Sequence, residues 1–177
     1  MGDEFIIKKL EAASVDQVSK FRLSDKDDTP LVRFIRRSAL KSSQANLTQT
    51  YILKRAHEAK VLAYVSMMCA EVALENTYAI ADKIGADRYD FHPALRIARL
   101  AVSTEIQGYG FGKQLMQFAI GIVQEAIQPN AGCRFLILDA KQKSIKFYEK
   151  IGFRLLDTST NRNAKAPLMF MDLQNLT

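Results

Sequence analysis

Two cysteines, two histidines and four prolines are all that 177 residues hold of those types. Cys69 and Cys133 form neither a disulfide framework nor a metal-ligand spacing. Each lies in an apolar stretch, which predicts two buried free thiols. His57 falls in a short polar link and reads as a surface residue. His92 precedes an apolar strand and reads as structural. No apolar run is long enough to span a bilayer. The N-terminal Met-Gly-Asp-Glu-Phe-Ile-Ile-Lys-Lys lacks the order of a signal peptide, and internal repeats, low-complexity tracts and splitting linkers are all missing. These absences argue against disulfide-stapled, metal-centred, membrane-spanning and repeat architectures. They predict one cytoplasmic domain over residues 1–177.

What is present is an ordinary globular balance, 48% apolar, with a net charge of +6. That charge permits an anionic partner without proving one. The most informative stretch is Val102-Ser-Thr-Glu-Ile-Gln-Gly-Tyr-Gly-Phe-Gly-Lys113. Before it runs Leu95-Arg-Ile-Ala-Arg-Leu-Ala-Val102, with the branching and length of a strand. After it, Gln114 to Gln128 carries Leu115, Met116, Ala119, Ile122, Val123, Ala126 and Ile127 at helical spacing. Glycines therefore stand where a strand hands over to a helix. Helix-start N–H groups lack intrahelical partners there, the helix dipole adds positive charge, and glycine lets an anion approach the backbone. The physical reading is a cradle for phosphates.

Which phosphates follows by elimination. A Walker loop needs Gly at position 107 and Ser or Thr at 114, where Gln107 and Gln114 stand. A Rossmann fingerprint beginning at Gly108 needs Gly or Ala at 113, where Lys stands, and an acidic residue about 20 positions on, where Gln128-Pro129-Asn130 stands. The remaining option is a Gln/Arg-x-x-Gly-x-Gly/Ala loop, which Gln107-Gly108-Tyr109-Gly110-Phe111-Gly112 matches at every position.

The rest of the chain reads as follows. Glu4 to Leu10 is a strand. Asp27-Asp28-Thr29-Pro30 is a helix entrance, with a capping side chain at Asp28 or Thr29 and Pro in the first turn. The helix runs from Pro30 to about Ser43, with Leu31, Phe34, Ile35 and Ala39 as its apolar stripe. Arg33, Arg36, Arg37 and Lys41 stand together elsewhere on the cylinder without an acidic partner in the helix. That face is either solvated or a docking surface for an anion. Thr48–Lys54 and Val61–Ala70 read as paired strands, and Ala79–Ala86 as a short helix stopped near Gly85. Cys133–Leu138 is a buried strand, Lys143–Lys150 a short helix ended by Gly152, Phe153–Leu156 a strand and Leu168–Leu173 the last strand.

This loop resembles the one by which GNAT N-acetyltransferases hold the pyrophosphate of coenzyme A. Ser144-Ile-Lys-Phe-Tyr-Glu-Lys-Ile-Gly-Phe153 resembles the family's second hallmark, Phe-Tyr-x-x-x-Gly-Phe. It follows the loop by about 40 residues, as in that family. The resemblance covers roughly Leu95 to Leu173. It departs where family members often carry Asn ahead of the second helix; here Lys141-Gln142-Lys143 stands. A looser resemblance, over Phe21 to Tyr51 and Pro93 to Val102, is to the acetyltransferase toxins of toxin–antitoxin pairs.

The resemblance implies a mixed α/β fold of the acyl-coenzyme A N-acyltransferase kind. Its central, mostly antiparallel sheet is splayed at a bulge and flanked by helices. It implies acetyl-coenzyme A as donor, contacted by Leu100, Val102, Gln107, Gly108, Tyr109, Gly110, Gly112, Lys113 and Ser144. In this scheme Val102 offers its backbone N–H to the thioester oxygen, and Tyr148 is the general acid. No acidic residue stands out as a base, and Glu105 is the nearest in sequence. The acceptor is a primary amine. The toxin resemblance implies an aminoacyl-tRNA, a small DNA-binding antitoxin as partner, and a homodimer. Arg33, Arg36, Arg37, Lys41, Arg96 and Arg99 are then the candidate RNA-binding residues, with Arg88 flanking the strand. The alternatives are a small-molecule or protein-amine acetyltransferase, or a non-catalytic coenzyme-A-binding module.

Overall fold

A computed structural model describes residues 4–12, 18–75, 77–80 and 88–176. Seven strands are joined in one mixed sheet: β1 Phe5–Lys9, β2 Gln49–Arg55, β3 Ala63–Val72, β4 His92–Val102, β5 Phe135–Asp139, β6 Arg154–Leu155 and β7 Leu168–Asp172. Their order is β1-β2-β3-β4-β5-β7-β6. The helices are α1 Thr29–Arg37, α2 Ala39–Gln44, α3 Phe111–Ile122, α4 Ile145–Lys150 and α5 Ser159–Arg162. The sheet is mostly antiparallel and includes the parallel pairing of β4 with β5, over Ala94–Arg96 against Phe135–Ile137. The predicted short helix at Ala79–Ala86 lies largely outside the described residues.

The chain forms two compact units, one holding residues up to Met68 with Ile97–Ala119, the other Cys69–Arg96 with Ile120 onward. In the first, β1 pairs antiparallel with β2 from Phe5↔Arg55 to Lys9↔Tyr51, and β2 with β3 from Gln49↔Met67 to Leu53↔Ala63. Phe21, Phe34, Ile35, Ile52, Val61, Tyr64 and Ala101 build its core. Tyr64 is wholly buried, yet its phenol is satisfied by donating to the Leu31 carbonyl at 2.8 Å, and burial pushes its pKa up. Thr50 and Ser66, opposite each other in the β2–β3 register, close a buried hydrogen bond of 3.0 Å.

In the second unit β5 reads Phe-Leu-Ile-Leu-Asp with its first four side chains buried, the continuous apolar run of a strand covered on both faces. It pairs antiparallel with β7, which pairs with β6. Phe135, Ile137, Phe170, Val72, Leu74 and Leu156 form its core. His92 is buried, its ring 5.7 Å from that of Phe135, and has the structural place expected of it. His57 is exposed.

Several local expectations need correction. The helix expected from Pro30 to Ser43 is broken at Ser38, where φ is −118°. Asp28 stands at the start of α1 but makes no side-chain cap bond. Asp25 instead caps the preceding 3-10 turn, accepting from the Asp27 amide at 2.9 Å, and Thr29 Oγ1 donates back to the Lys26 carbonyl at 2.6 Å. The long helix after the glycines is α-helical only to Ile122. Its last turn, Val123–Ile127, widens to π geometry, with the Gln128 amide on the Val123 carbonyl at 2.8 Å, ahead of Pro129. Finally, Cys133 is buried as expected, but Cys69 is exposed. The apolar run of β3 outlasts the core that covers it: Ala63–Met67 are buried, and Met68 and Cys69 face solvent.

Candidate active site

The glycine loop lies in the first unit, between β4 and α3. β4 ends at Val102, the Ser103 amide donates to the Leu62 carbonyl at 2.7 Å, and the Ile106 amide turns back onto the Ser103 carbonyl at 3.0 Å. Ile106 is buried and anchors the turn. Gly108 and Gly110 follow with φ of +88° and +85°, a region costly for residues with a Cβ. A Cβ built at either would meet no atom within 4 Å, so the space in front of the loop is open. Gln107 is exposed and Tyr109 is 79% exposed.

The first α-helical bond of α3 runs from the Gln114 amide to the Gly110 carbonyl at 3.1 Å. The amides of Phe111, Gly112 and Lys113 therefore precede the intrahelical ladder. No acidic side chain stands in that first turn, and Lys113 is exposed beside it. Positive φ, open space, helix-start amides and a lysine together suit a diphosphate.

Glu105, the nearest acidic residue, does not fit a base. It is ion-paired to Lys60 and to Arg55, the latter at 3.1 Å, and those contacts hold its carboxyl below the usual range. A carboxylate so held is a poor proton acceptor near neutral pH.

Tyr148 lies in the second unit, on α4. Its ring packs between Phe147 and Phe153, with centroids 5.0 and 5.7 Å away. Burial pushes its phenol up to about 12. The helix ends just beyond, with the Phe153 amide donating to the Tyr148 carbonyl at 3.0 Å and Gly152 at φ +101°. A Cβ at Gly152 would meet Met171 Cε at 3.4 Å, so both conformation and space favour glycine. Thus the spacing Phe147-Tyr148 to Gly152-Phe153 is a helix stop that fixes the tyrosine ring. Ser144 precedes α4, part-buried in the 3-10 turn Gln142–Ser144, and Leu100 is part-buried in β4.

The six basic candidates do not form one set. Thr29, Val32, Arg33, Arg36 and Arg37 line a single open cleft on α1. Lys41 belongs to α2, beyond the break at Ser38, and does not line it. Arg36 is partly structural, since its Nη2 donates to the Phe21 carbonyl at 2.6 Å. Arg96 and Arg99, three apart on β4, point to opposite faces of the strand. Arg96 pairs with Asp139, and the Arg99 guanidinium lies 4.0 Å over the Phe34 ring.

One cluster escaped sequence reading. Arg134 grips Asp172 through Nε at 2.5 Å and Nη2 at 2.8 Å, and Tyr78 donates to the same carboxylate at 3.0 Å. Burial opposes the Asp172 charge, but Arg134, the Gln174 amide and Tyr78 outweigh it and hold the carboxyl below its usual range. Its members come from three distant stretches, and no motif joins them.

A strand, a glycine turn, a helix and then a tyrosine helix closed by Gly-Phe follow one another along the chain in the order of the acyltransferase pattern. A family model described as an acetyltransferase (GNAT) domain matches residues 68–155. The chain carries a GNAT acetyltransferase domain over those residues, the domain of enzymes that take their acetyl group from acetyl-coenzyme A. Among solved structures it is similar to AtaT complexed with acetyl-methionyl-tRNAfMet, at 22% identity and a TM-score of 0.80, covering 98% of this chain and 97% of that one. A tyrosine-to-phenylalanine variant of KacT is similar at 19% identity and a TM-score of 0.80, covering 97% and 96%. A like variant of the AtaT toxin, bound to the C-terminus of the antitoxin AtaR and to acetyl-CoA, matches at 20% identity and 0.75, covering 98% and 96%. At these identities the likeness is one of fold. No helix among the described residues is long and apolar enough to cross a membrane.

Proposed function

We propose that this acetyltransferase modifies the α-amino group of an aminoacyl-tRNA and acts as the toxin of a pair with a small DNA-binding antitoxin. The observation that carries the acceptor is the cleft of α1, where Arg33, Arg36 and Arg37 meet with no acidic residue in that helix. A neutral small amine needs no such surface; a phosphate backbone does. The fold likeness to AtaT, solved with acetyl-methionyl-tRNAfMet and with its antitoxin, favours the same reading. In this reading residues 1–177 act as one catalytic domain, the protein is cytoplasmic and two copies form a homodimer.

Bound acetyl-coenzyme A supplies an activated thioester. The chain does the rest. The amides from Gly108 to Lys113, with Gln107 and Lys113 beside them, hold the pyrophosphate. The Val102 N–H polarises the thioester oxygen. Leu100, Tyr109 and Ser144 add contacts along the coenzyme. Tyr148 keeps its proton on Oη throughout the neutral range, where it is available to a departing thiolate. With Glu105 committed to Arg55 and Lys60, the amine's proton goes to water.

The test mixes protein, acetyl-coenzyme A and a pool of charged tRNAs, and reads the aminoacyl ends by mass spectrometry. Acetylated α-amino groups are expected. Turnover of polyamines or peptides with none on charged tRNA overturns the acceptor; no consumption of thioester with any amine reduces the protein to a coenzyme-binding module.

A further inference from the structure

Two contacts reach the glycine loop from its two sides, and both run through Arg55. On the near side, Arg55 Nη1 lies 3.1 Å from Glu105 Oε1, two residues before Gln107, and Lys60 pairs with the other carboxylate oxygen. On the far side, the Arg55 guanidinium sits over the Phe5 ring, 5.7 Å from its centroid. Phe5 in turn packs on Phe111, the first residue of α3, with centroids 4.5 Å apart. Phe5 and Arg55 are register partners in the end rung of the β1–β2 ladder, so the backbone sets them side by side. Glu105 and Phe111 thus bracket Ile106–Gly110, and one ladder position holds both.

We infer that Arg55 is a positioning residue for the coenzyme loop: it fixes the turn before the glycines through Glu105 and the helix start after them through Phe5 and Phe111. The inference rests on the loop being the pyrophosphate site. The physical need is plain. A loop with two glycines at positive φ has many backbone conformations open to it, and aimed amides bind an anion well only when their directions are set beforehand. Arg55 is suited to the task because one planar guanidinium can pair with a carboxylate and lie over a ring at once, which a lysine ammonium does less well. Glu105 and Glu58 together balance the charges of Arg55 and Lys60, Glu58 lying 3.2 Å from the same Arg55 nitrogen, so these cations act through the loop's shape rather than as phosphate ligands.

The experiment uses the full chain and calorimetry with acetyl-coenzyme A. Wild type and Gly110→Asp come first: binding by the former and none by the latter establishes the loop as the site, independently of Arg55. Arg55→Lys and Glu105→Gln should each raise the Kd about tenfold, a loss of about 1.4 kcal/mol. The double variant should lose less than the sum of the two singles, because both disturb the shared Arg55–Glu105 contact while only Arg55→Lys gives up the guanidinium over Phe5. Hydrogen exchange on the unliganded variants should speed up at the Ile106 and Gln114 amides, which bond to the Ser103 and Gly110 carbonyls on either side of the glycines, while the β2–β3 ladder keeps its protection, a local effect that general destabilisation would not give. Unchanged Kd in both single variants, or fully additive losses with exchange accelerated throughout the unit, overturns the inference.

Discussion

Arg36 Nη2 donates to the carbonyl of Phe21 at 2.6 Å, tying α1 to the segment that precedes it. Arg33 and Arg37 line the same cleft and are exposed. Replacing Arg36 would confuse folding with recognition, whereas Arg33→Glu with Arg37→Glu reverses charge at the rim alone. The pair should cut acetylation of charged tRNA at least about tenfold, and the RNA-binding salt slope should fall by about the two phosphates lost. Affinity for acetyl-coenzyme A should stay at the wild-type value, measured by calorimetry on the same samples.

At the glycine loop, space and conformation make separate demands. Gly110→Ala adds a Cβ that meets nothing but must sit at φ +85°, at a cost of roughly 1 kcal/mol. Gly110→Asp adds the same strain and puts a negative charge at the proposed pyrophosphate site. The alanine variant should bind acetyl-coenzyme A more weakly yet measurably, and the aspartate variant should not bind. Equal loss in both would mean that backbone conformation, not charge, is what the site reads.

Tyr148→Phe keeps the ring packed between Phe147 and Phe153 and removes the proton. Turnover should fall about a hundredfold with little change in coenzyme affinity. Near-wild-type turnover would return Tyr148 to a packing role.

The same phenol sets a pH signature. Its pKa is raised from 10.0 to about 12, so the protonated form persists where an ordinary tyrosine would ionise. Turnover at saturating substrates should therefore show no alkaline fall as pH passes 10. Because the folded value is the higher one, stability linked to this group is complete below 10 and drains away as pH climbs towards 12. A fall in turnover centred at 10, in protein that circular dichroism shows still folded, would mean the tyrosine is solvated.

Asp172 has the opposite sign. Its folded pKa is depressed, so its contribution is present above the ordinary carboxylate range and disappears as pH falls through the depressed value. Asp172→Asn should cost about 3 kcal/mol at neutral pH by leaving Arg134 without its buried anion, and should flatten the acid limb of urea-denaturation stability.

What could be read from the chain was what is written locally. The glycine spacing at Gly108, Gly110 and Gly112, the helix stop at Gly152-Phe153 and the run Phe135–Leu138 each fall within a few residues, and each gives the expected element. What could not be read depends on partners distant in sequence. The commitment of Glu105 depends on Arg55 and Lys60, the anchoring of Arg36 on Phe21, and the Tyr78–Arg134–Asp172 cluster on a sheet register. Periodicity continued the basic face of α1 through Ser38 to Lys41, because the break there leaves no mark in the hydrophobic pattern.

The unequal fate of the two cysteines makes the protein ready for single-site chemistry. Burial pushes Cys133 up to about 11, so it stays a protonated, sheltered thiol at neutral pH, while Cys69 lies open to solvent. A maleimide dye offered to the native chain will enter at Cys69, giving a fluorescent reporter on β3 without a substitution anywhere in the sequence.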